Sequence, residues 1–291
     1  MLPEAVLQCI TTLKLAGYPA YLVGGCVRDL LLGQQPKDYD VATSAAPSVV
    51  QNLFPHVAPT GLSFGTVTVV LSQPIEVTTF RADGIYKDGR HPNKVEFIDD
   101  IEVDLARRDF TVNAMAFDPQ ANTLVDPFGG RGDLAAGVIR TVGDPVVCFN
   151  DDGLRLLRAV RFMAQLGFDI EPATRLAMSQ EAFRLQCVAQ ERIGREFALL
   201  LLGDNDILSA LRLLVETKLL GYIIPELLAG LGMEQSRLHR EDVLGHNLRT
   251  CSLTPPKLPL RLAGLLHDVG KPGKFREGPY GRLFPGHAAR S

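Results

Sequence analysis

A short apolar run, two glycines and then two carboxylates one residue apart constrain this chain more than any other feature. The stretch is Leu22 to Asp40, LVGGCVRDLLLGQQPKDYD. Tyr21, Leu22 and Val23 read as a buried strand. Gly24 and Gly25 allow a tight turn with no Cβ in the way. Val27 to Leu32 reads as a short helix with Gly33 just past its end. A strand, two glycines and a helix start form a cradle for phosphate, because the first helical N–H groups lack partners within the helix. Arg28, in the first turn, adds a charged fork. Lys37 closes the next loop, and Asp38-Tyr39-Asp40-Val41 reads as a second strand. Side chains at i and i+2 share a face, so Asp38 and Asp40 project together and Tyr39 turns away. Two such carboxylates repel each other unless a cation lies between them. Hard oxygen donors beside a phosphate cradle fit Mg²⁺.

A lone GG or a lone DxD is commonplace, but the whole string is far more specific. It resembles the opening motif of the nucleotidyltransferase superfamily in the form GG-x-VRD-x-L-L-G…KD-x-D. It is most similar to the class II branch, the CCA-adding tRNA nucleotidyltransferases and bacterial poly(A) polymerases.

The 291 residues suffice for two domains and part of a third; 46% hydrophobic and 22% charged residues are those of a globular chain. A net charge of −3 argues against non-specific coating of nucleic acid. With no Trp and 7% aromatics, a single-strand stacking platform is not expected. Cys9, Cys26, Cys148, Cys187 and Cys251 are scattered without a CxxC, which fits a reducing compartment. The N-terminal residues lack a signal-type pattern, and no apolar run is long enough to span a bilayer. A cytoplasmic location without membrane partners is expected.

Pro3 to Leu15 reads as an amphipathic helix ended by Gly17. Pro47 to Phe54 reads as another, capped from Thr43 or Ser44. Phe64–Leu71 and Ile75–Phe80 form a hairpin around Ser72-Gln73-Pro74. On strand spacing Glu76 turns toward Asp38 and Asp40 as a third metal carboxylate; a solvent-facing sheet residue is the equal alternative. Residues 82–94 are polar and glycine-rich and read as a mobile loop. Val95–Phe97 is a short strand and Ile101–Arg107 a helix.

Arg107 to Ala116, RRDFTVNAMA, is the second informative stretch. Arg108 suits a triphosphate, and Asn113 a sugar hydroxyl or phosphate oxygen. A surface ion pair is the competing reading for either. The string RRDFT-x-NAMA is again similar to the class II family. Asp126-Pro127-Phe128-Gly129-Gly130, Asp133-Leu134 and Ile139-Arg140 resemble its connector, where the glycines read as a hinge.

Near 141–149 the strand patterns stop. In Asn150 to Phe162, Leu154, Leu157, Val160 and Ala164 lie at helical spacing and face a core. Asp152 and Arg155 are surface neighbours, and Arg158 neighbours Arg155. Arg161 lies well around the helix from Asp152. Arg158 and Arg161 therefore reach phosphate or RNA. An ordinary i,i+3 ion pair is the competing reading for Asp152 and Arg155. The stretch resembles the family motif ED-x-LR-x-x-R-A-x-RF, whose Asp and Arg serve as an amino-acid template for the incoming base. Asp151 stands where Glu is usual. Gly153 stands where Pro or Ala is usual, which loosens the helix start. Glu191-Arg192-Ile193 begins a further helix and resembles a supporting motif. Asp206 to Leu220 reads as a helix ended by Gly221.

His246 and His267-Asp268, in LAGLLHDVGKPGKF, resemble an HD metal-dependent phosphohydrolase domain. His and Asp suit a divalent metal, and His287 could join them. A complete site of this type needs a later Asp, which does not precede Ser291. A truncated or vestigial domain without hydrolase activity is expected. His239 has no assigned role.

The resemblance thus implies an α+β fold in three parts. Residues 1–142 form a mixed-sheet nucleotidyltransferase head, 143–228 a helical neck and body binding base and RNA, and 229–291 a partial HD-like domain. It implies template-independent addition of CMP and AMP, from CTP and ATP, to the tRNA 3′ end. Asp38 and Asp40 would be catalytic and hold two Mg²⁺. Gly24, Gly25, Arg28, Arg108, Asn113, Asp152, Arg155, Arg158 and Arg161 would bind nucleotide. Asp152 accepts from the exocyclic amino group of C and A while Arg155 donates to the adjacent ring nitrogen; U and G present the reverse pattern. A poly(A) polymerase usually carries an arginine-rich GR(R/K)F string where this chain has Pro59 to Gly65. A CC-adding enzyme shortens the loop that is full length here. An A-adding enzyme remains an alternative. An HD phosphohydrolase is less favoured because the Asp38/Asp40 pair is intact.

Overall fold

Ala5, Val6, Cys9, Ile10 and Leu13 form one buried stripe on Glu4–Leu15. This is helix α1, and Gly17 ends it in the left-handed region (φ 91°). The computed structural model describes residues 2–83, 95–235, 240–278 and 281–291. They form two compact units, Met1–Asp151 and Asp152–Ser291.

In the first unit, β1 (Ala20–Val23) leads through Gly24 into α2 (Gly25–Leu31). There follow β2 (Asp40–Thr43), α3 (Pro47–Leu53), β3 (Val57–Gly61), β4 (Thr66–Val70) and β5 (Pro74–Thr79). Next come β6 (Arg81–Asp83), β7 (Val95–Phe97), α4 (Ile101–Ala106), β8 (Ala116–Asp118) and β9 (Thr123–Val125). The unit closes with α5 (Gly130–Ala136) and α6 (Pro145–Asp151). Seven strands form one sheet in the order β3-β4-β5-β2-β1-β8-β9. Its neighbours are antiparallel except β2 and β5, which run parallel, so the sheet is mixed. Val23, Ala42, Phe80, Leu105 and Ala116 make a buried cluster against which Tyr21, Ile98, Ile101, Val125 and Phe128 pack.

Local differences from the sequence reading have local causes. The strand does not include Asp38. β1 ends at Val23, paired with Asp40, and the chain turns away at Gly24 (φ 74°), so nothing pairs Asp38 or Tyr39. Neither Thr43 nor Ser44 caps α3, whose N-cap is Ala46 followed by a proline that has no N–H to satisfy. Thr43 Oγ1 instead donates to Pro19 O at 2.7 Å. β3 lacks the alternation that would announce it. β6 and β7 pair with each other, Arg81 opposite Phe97. Residues 84–94, most of the expected mobile loop, lie outside the described residues. The DPFGG stretch is a packed helix start and not a hinge. Asp126 accepts the Gly130 and Arg131 N–H groups at 2.7 and 2.9 Å, and a Cβ on Gly130 would lie 2.2 Å from Thr111 O.

The second unit is helical. It contains α7 (Leu154–Leu166), α8 (Pro172–Glu181), α9 (Gln190–Leu201), α10 (Ile207–Glu216), α11 (Leu220–Ile223), α12 (Val243–Leu253) and α13 (Leu258–Leu266). Leu154, Leu157, Val160 and Ala164 of α7 are buried, as their spacing requires. The expected helix 206–220 is broken, because Lys218 adopts φ 64°, a left-handed conformation that ends a helix. Gly153 does not loosen α7. Its backbone is helical (φ −58°, ψ −21°), and a Cβ there would lie 2.8 Å from Arg184 O, so the glycine admits a neighbouring strand of backbone. Among the described residues no helix is long and apolar enough to cross a membrane.

Candidate active site

The registers of three adjacent strands set the acidic centre. β2 places Asp40 opposite Glu76 of β5, and Glu76 lies opposite Thr68 of β4. Directly paired residues share a face, so Asp40, Glu76 and Thr68 form one row. With Asp38, Tyr39 and Pro74 they line a cavity of about 400 Å³. Asp38 thus reaches the site from the bend before β2, and Tyr39 between the two acids is buried. Asp38 and Glu76 are exposed and Asp40 is half-buried. Burial first, and then the charge of Glu76, push Asp40 up to about 6; Arg108 opposes the rise and Asp38 adds to it. Three carboxylates lining one cavity offer hard oxygen donors of the kind a divalent cation takes.

Gly24 lies at the rim. An added Cβ would sit 3.1 Å from Arg108 Nη1 and 3.7 Å from Asp40 Oδ2, and φ 74°, ψ −138° is a conformation that L side chains rarely adopt. Gly24→Ala is expected to cost about 1–3 kcal/mol of stability from backbone strain and to displace Arg108. Thermal melting of the variant against the wild type checks the cost.

Arg28 is held from two sides. Its Nε and Nη2 donate to Asp29 Oδ1 at 2.9 and 2.7 Å, and its Nη1 to Asn113 Oδ1 at 2.8 Å. Asn113 is buried and donates to Asp109 Oδ1 at 3.3 Å. Asn113 therefore supports Arg28 from the side of Asp109. Arg108 Nη2 donates to the fully buried Asp104 at 3.1 Å.

In the second unit the Asp152 carboxylate is engaged by Arg192, whose Nη2 donates to Oδ2 at 2.8 Å. Its Oδ1 accepts the Leu154 N–H at 3.0 Å at the start of α7. This partnership across forty positions is invisible to a reading by helical spacing, although Arg192 belongs to the supporting motif named above. The Arg155 N–H donates to the Asp152 carbonyl at 3.0 Å. Arg158 lies 5.4 Å over the Phe162 ring. Arg161 packs toward α9. It donates to buried Glu196 on α9 and to Gln165 Oε1 at 2.8 Å, because its place around α7 faces that helix.

A second cluster joins α12 to the segment after α13. His246, His267 and Asp268 offer ligand atoms within 4.8 Å of one another. His287 Nε2 lies 3.1 Å from Asp268 Oδ1. The Nδ1 atoms of His267 and His287 face the carbonyls of Gly264 and Phe284 at 2.8 and 2.6 Å. A carbonyl only accepts, so each Nδ1 donates to it, and the ring is turned so that Nε2 faces Asp268, at 3.2 Å from His267 and 3.1 Å from His287. Lys271 Nζ lies 2.5 Å from Asp268 Oδ2 and supplies an internal counter-charge. His239 lies outside the described residues.

Residues 20–140 match the family described as poly A polymerase head domain. Residues 167–231 match the family described as the probable RNA and SrmB binding site of polymerase A. A CCA-adding enzyme of Anoxybacillus flavithermus is 47% identical over 222 residues, 76% of this chain and 55% of that one. A CCA-adding enzyme of Geobacillus stearothermophilus is also 47% identical, over 76% of this chain and 54% of its own length. The Bacillus stearothermophilus CCA-adding enzyme solved with CTP superposes with a TM-score of 0.71 at 44% identity, covering 77% of this chain and 54% of that one. A tRNA nucleotidyltransferase solved with a primer tRNA and an incoming ATP analogue gives 0.65 at 29% identity, over 89% and 75%. The chain spans about half the length of the curated relatives it matches. The acidic row and Gly24 all fall inside the matched head domain.

Proposed function

We propose that this chain is a template-independent nucleotidyltransferase that adds CMP and AMP, from CTP and ATP, to the tRNA 3′ end. One observation carries the reading: Asp38, Asp40 and Glu76 line one cavity beside Gly24 and Arg108. The names of the relatives favour CCA addition over poly(A) synthesis. Asp38 and Asp40, with Glu76 as a third donor, would hold two Mg²⁺. Bound there, the ions supply activation of the RNA 3′-hydroxyl toward the α-phosphate and neutralise the leaving pyrophosphate. Arg28 and Arg108 bind the triphosphate, and Gly24 leaves it room. Asp152 and Arg155 choose the base, with Arg158 on the RNA side. In this reading residues 1–142 transfer the nucleotide, 143–228 bind base and RNA, and 229–291 form a partial HD-like segment. A cytoplasmic location accompanies it, in keeping with five free thiols.

The test uses tRNAs lacking one, two or three terminal nucleotides, with CTP and ATP supplied separately and the ends sequenced. CCA addition is expected to complete each end in order. Growth by A alone would assign an A-adding enzyme, and no growth would overturn the reading.

His246, His267 and Asp268 carry a second, smaller proposal, binding of a divalent metal without phosphohydrolase activity. The nitrogen-rich donor set suits a transition ion better than Mg²⁺.

A further inference from the structure

Asp104 is the most deeply buried acid among the described residues near the acidic row, with no exposed surface. It sits on α4, four residues before Arg108. Its Oδ1 accepts Arg107 Nε and Nη2 at 3.0 and 2.7 Å and the Arg81 N–H at 3.3 Å. Its Oδ2 accepts Arg108 Nη2 at 3.1 Å. Burial alone would raise this carboxyl, but the charges of Arg108 and Arg107 hold it below its ordinary value. An ionised group is found so deep only when paired.

Two adjacent arginines at a helix end leave the backbone about 100° apart, and one buried anion gathers both. The consequence for Arg108 is specific. With Nη2 held on Asp104, Nη1 is directed to the Gly24 turn, where a Cβ on Gly24 would lie 3.1 Å from it and 3.7 Å from Asp40 Oδ2. Arg108 Nε is buried without an acceptor. The seat therefore does not saturate the arginine's own donors; it fixes its direction. Freed from Asp104, Arg108 has Asp40 as its nearest opposite charge and would fold onto a carboxylate that the site needs open.

We propose that Asp104 is a positioning residue that aims Arg108 at the triphosphate of the incoming nucleotide and holds it off Asp40. This rests on the nucleotidyl-transfer reading given above. The competing role is purely structural: through the Arg81 N–H, Asp104 also ties α4 to β6.

A double-mutant cycle separates the two. Asp104→Asn, Arg108→Ala and the double variant are prepared in the full 291-residue chain. CTP affinity is measured by calorimetry with Mg²⁺, and KM and kcat for CTP with a tRNA lacking its terminal nucleotides. Losing a charge-assisted contact weakens binding about tenfold, so D104N is expected to raise Kd and KM by roughly that factor and to change kcat by less than about twofold. R108A should do the same, and the double variant should be no worse than R108A. Asp104→Glu, which keeps the charge on a longer stem, should recover part of the affinity. If D104N does not fold, D104E takes its place in the cycle, with the same non-additivity expected. Additive effects of the two substitutions, or an unchanged KM in the folded Asp104 variant, would overturn the proposal. If the wild-type chain binds CTP but extends no tRNA, the functional reading fails while the calorimetric cycle still judges Asp104. If the wild type does not bind CTP, both fail.

Discussion

Asp40→Asn is expected to abolish the proposed nucleotide transfer and yet to make the metal-free protein more stable at pH 8. Asn preserves the shape of the side chain but not the charge that a cation requires. The stability gain comes first from the burial of the Asp40 charge and then from its repulsion by Glu76 and Asp38, which Arg108 partly offsets. Asp40 titrates at about 6 in the fold, against 3.8 ordinarily. Between these values the folded chain binds its proton more tightly than the unfolded chain does. The contribution of this group is therefore full below about pH 4 and is lost as pH rises through 6. A shift of this size corresponds to at most about 3 kcal/mol at pH 8, which the neutral Asn recovers in part. Mg²⁺ should raise the melting temperature of the wild type at pH 8, scarcely at pH 4.5, and that of the variant little at either. Calorimetric melting with and without Mg²⁺, beside a transfer assay with a limit near one part in a thousand, checks the set. Transfer by Asp40→Asn at wild-type rates, or equal Mg²⁺ stabilisation of both proteins, would remove the acidic row from the mechanism.

Asp152→Ala is expected to relax the choice of nucleotide while leaving some transfer. An ionised carboxylate has about four acceptor positions. Leu154 N–H takes one on Oδ1, and Arg192 takes one on each oxygen, at 3.5 Å on Oδ1 and 2.8 Å on Oδ2. The position left on Oδ2 is the one that, in the proposed reading, accepts from the exocyclic amino group of C or A. A mismatched buried polar group costs about 1–3 kcal/mol, so incorporation of UMP and GMP relative to CMP and AMP should rise about tenfold or more. The variant also loses the contact at the start of α7, worth about 1 kcal/mol. Competition among all four nucleotides, read by sequencing the ends, measures the ratio. An equal fall for all four would leave Asp152 as a helix-start residue and nothing more.

What was legible in the sequence was whatever depends on local spacing. The buried faces of α1 and α7 follow from their periods, and Gly17 and Gly33 mark helix ends with positive φ. The mixed sheet and the acidic pair were likewise anticipated. Partners distant in sequence were not. Nothing in the local pattern ties Asp152 to Arg192 or Arg161 to Glu196, because packing of α7 on α9 makes both pairs. Glu76 could be placed on a strand but not opposite Asp40, since that needs the parallel register. Asp104 drew no attention because an acid three and four residues before arginines reads as an ordinary surface pair. Only burial distinguishes it.

The parallel contact between β2 and β5 has a consequence for the nascent chain. β5 lies between β2 and β4, so Glu76 reaches Asp40 only when the intervening hairpin is made and docked as a unit. Until Thr79 has been synthesised, Asp40 has no facing acid and no reason to hold its proton unusually tightly. Crowding of negative charge therefore waits for a non-local closure of the sheet.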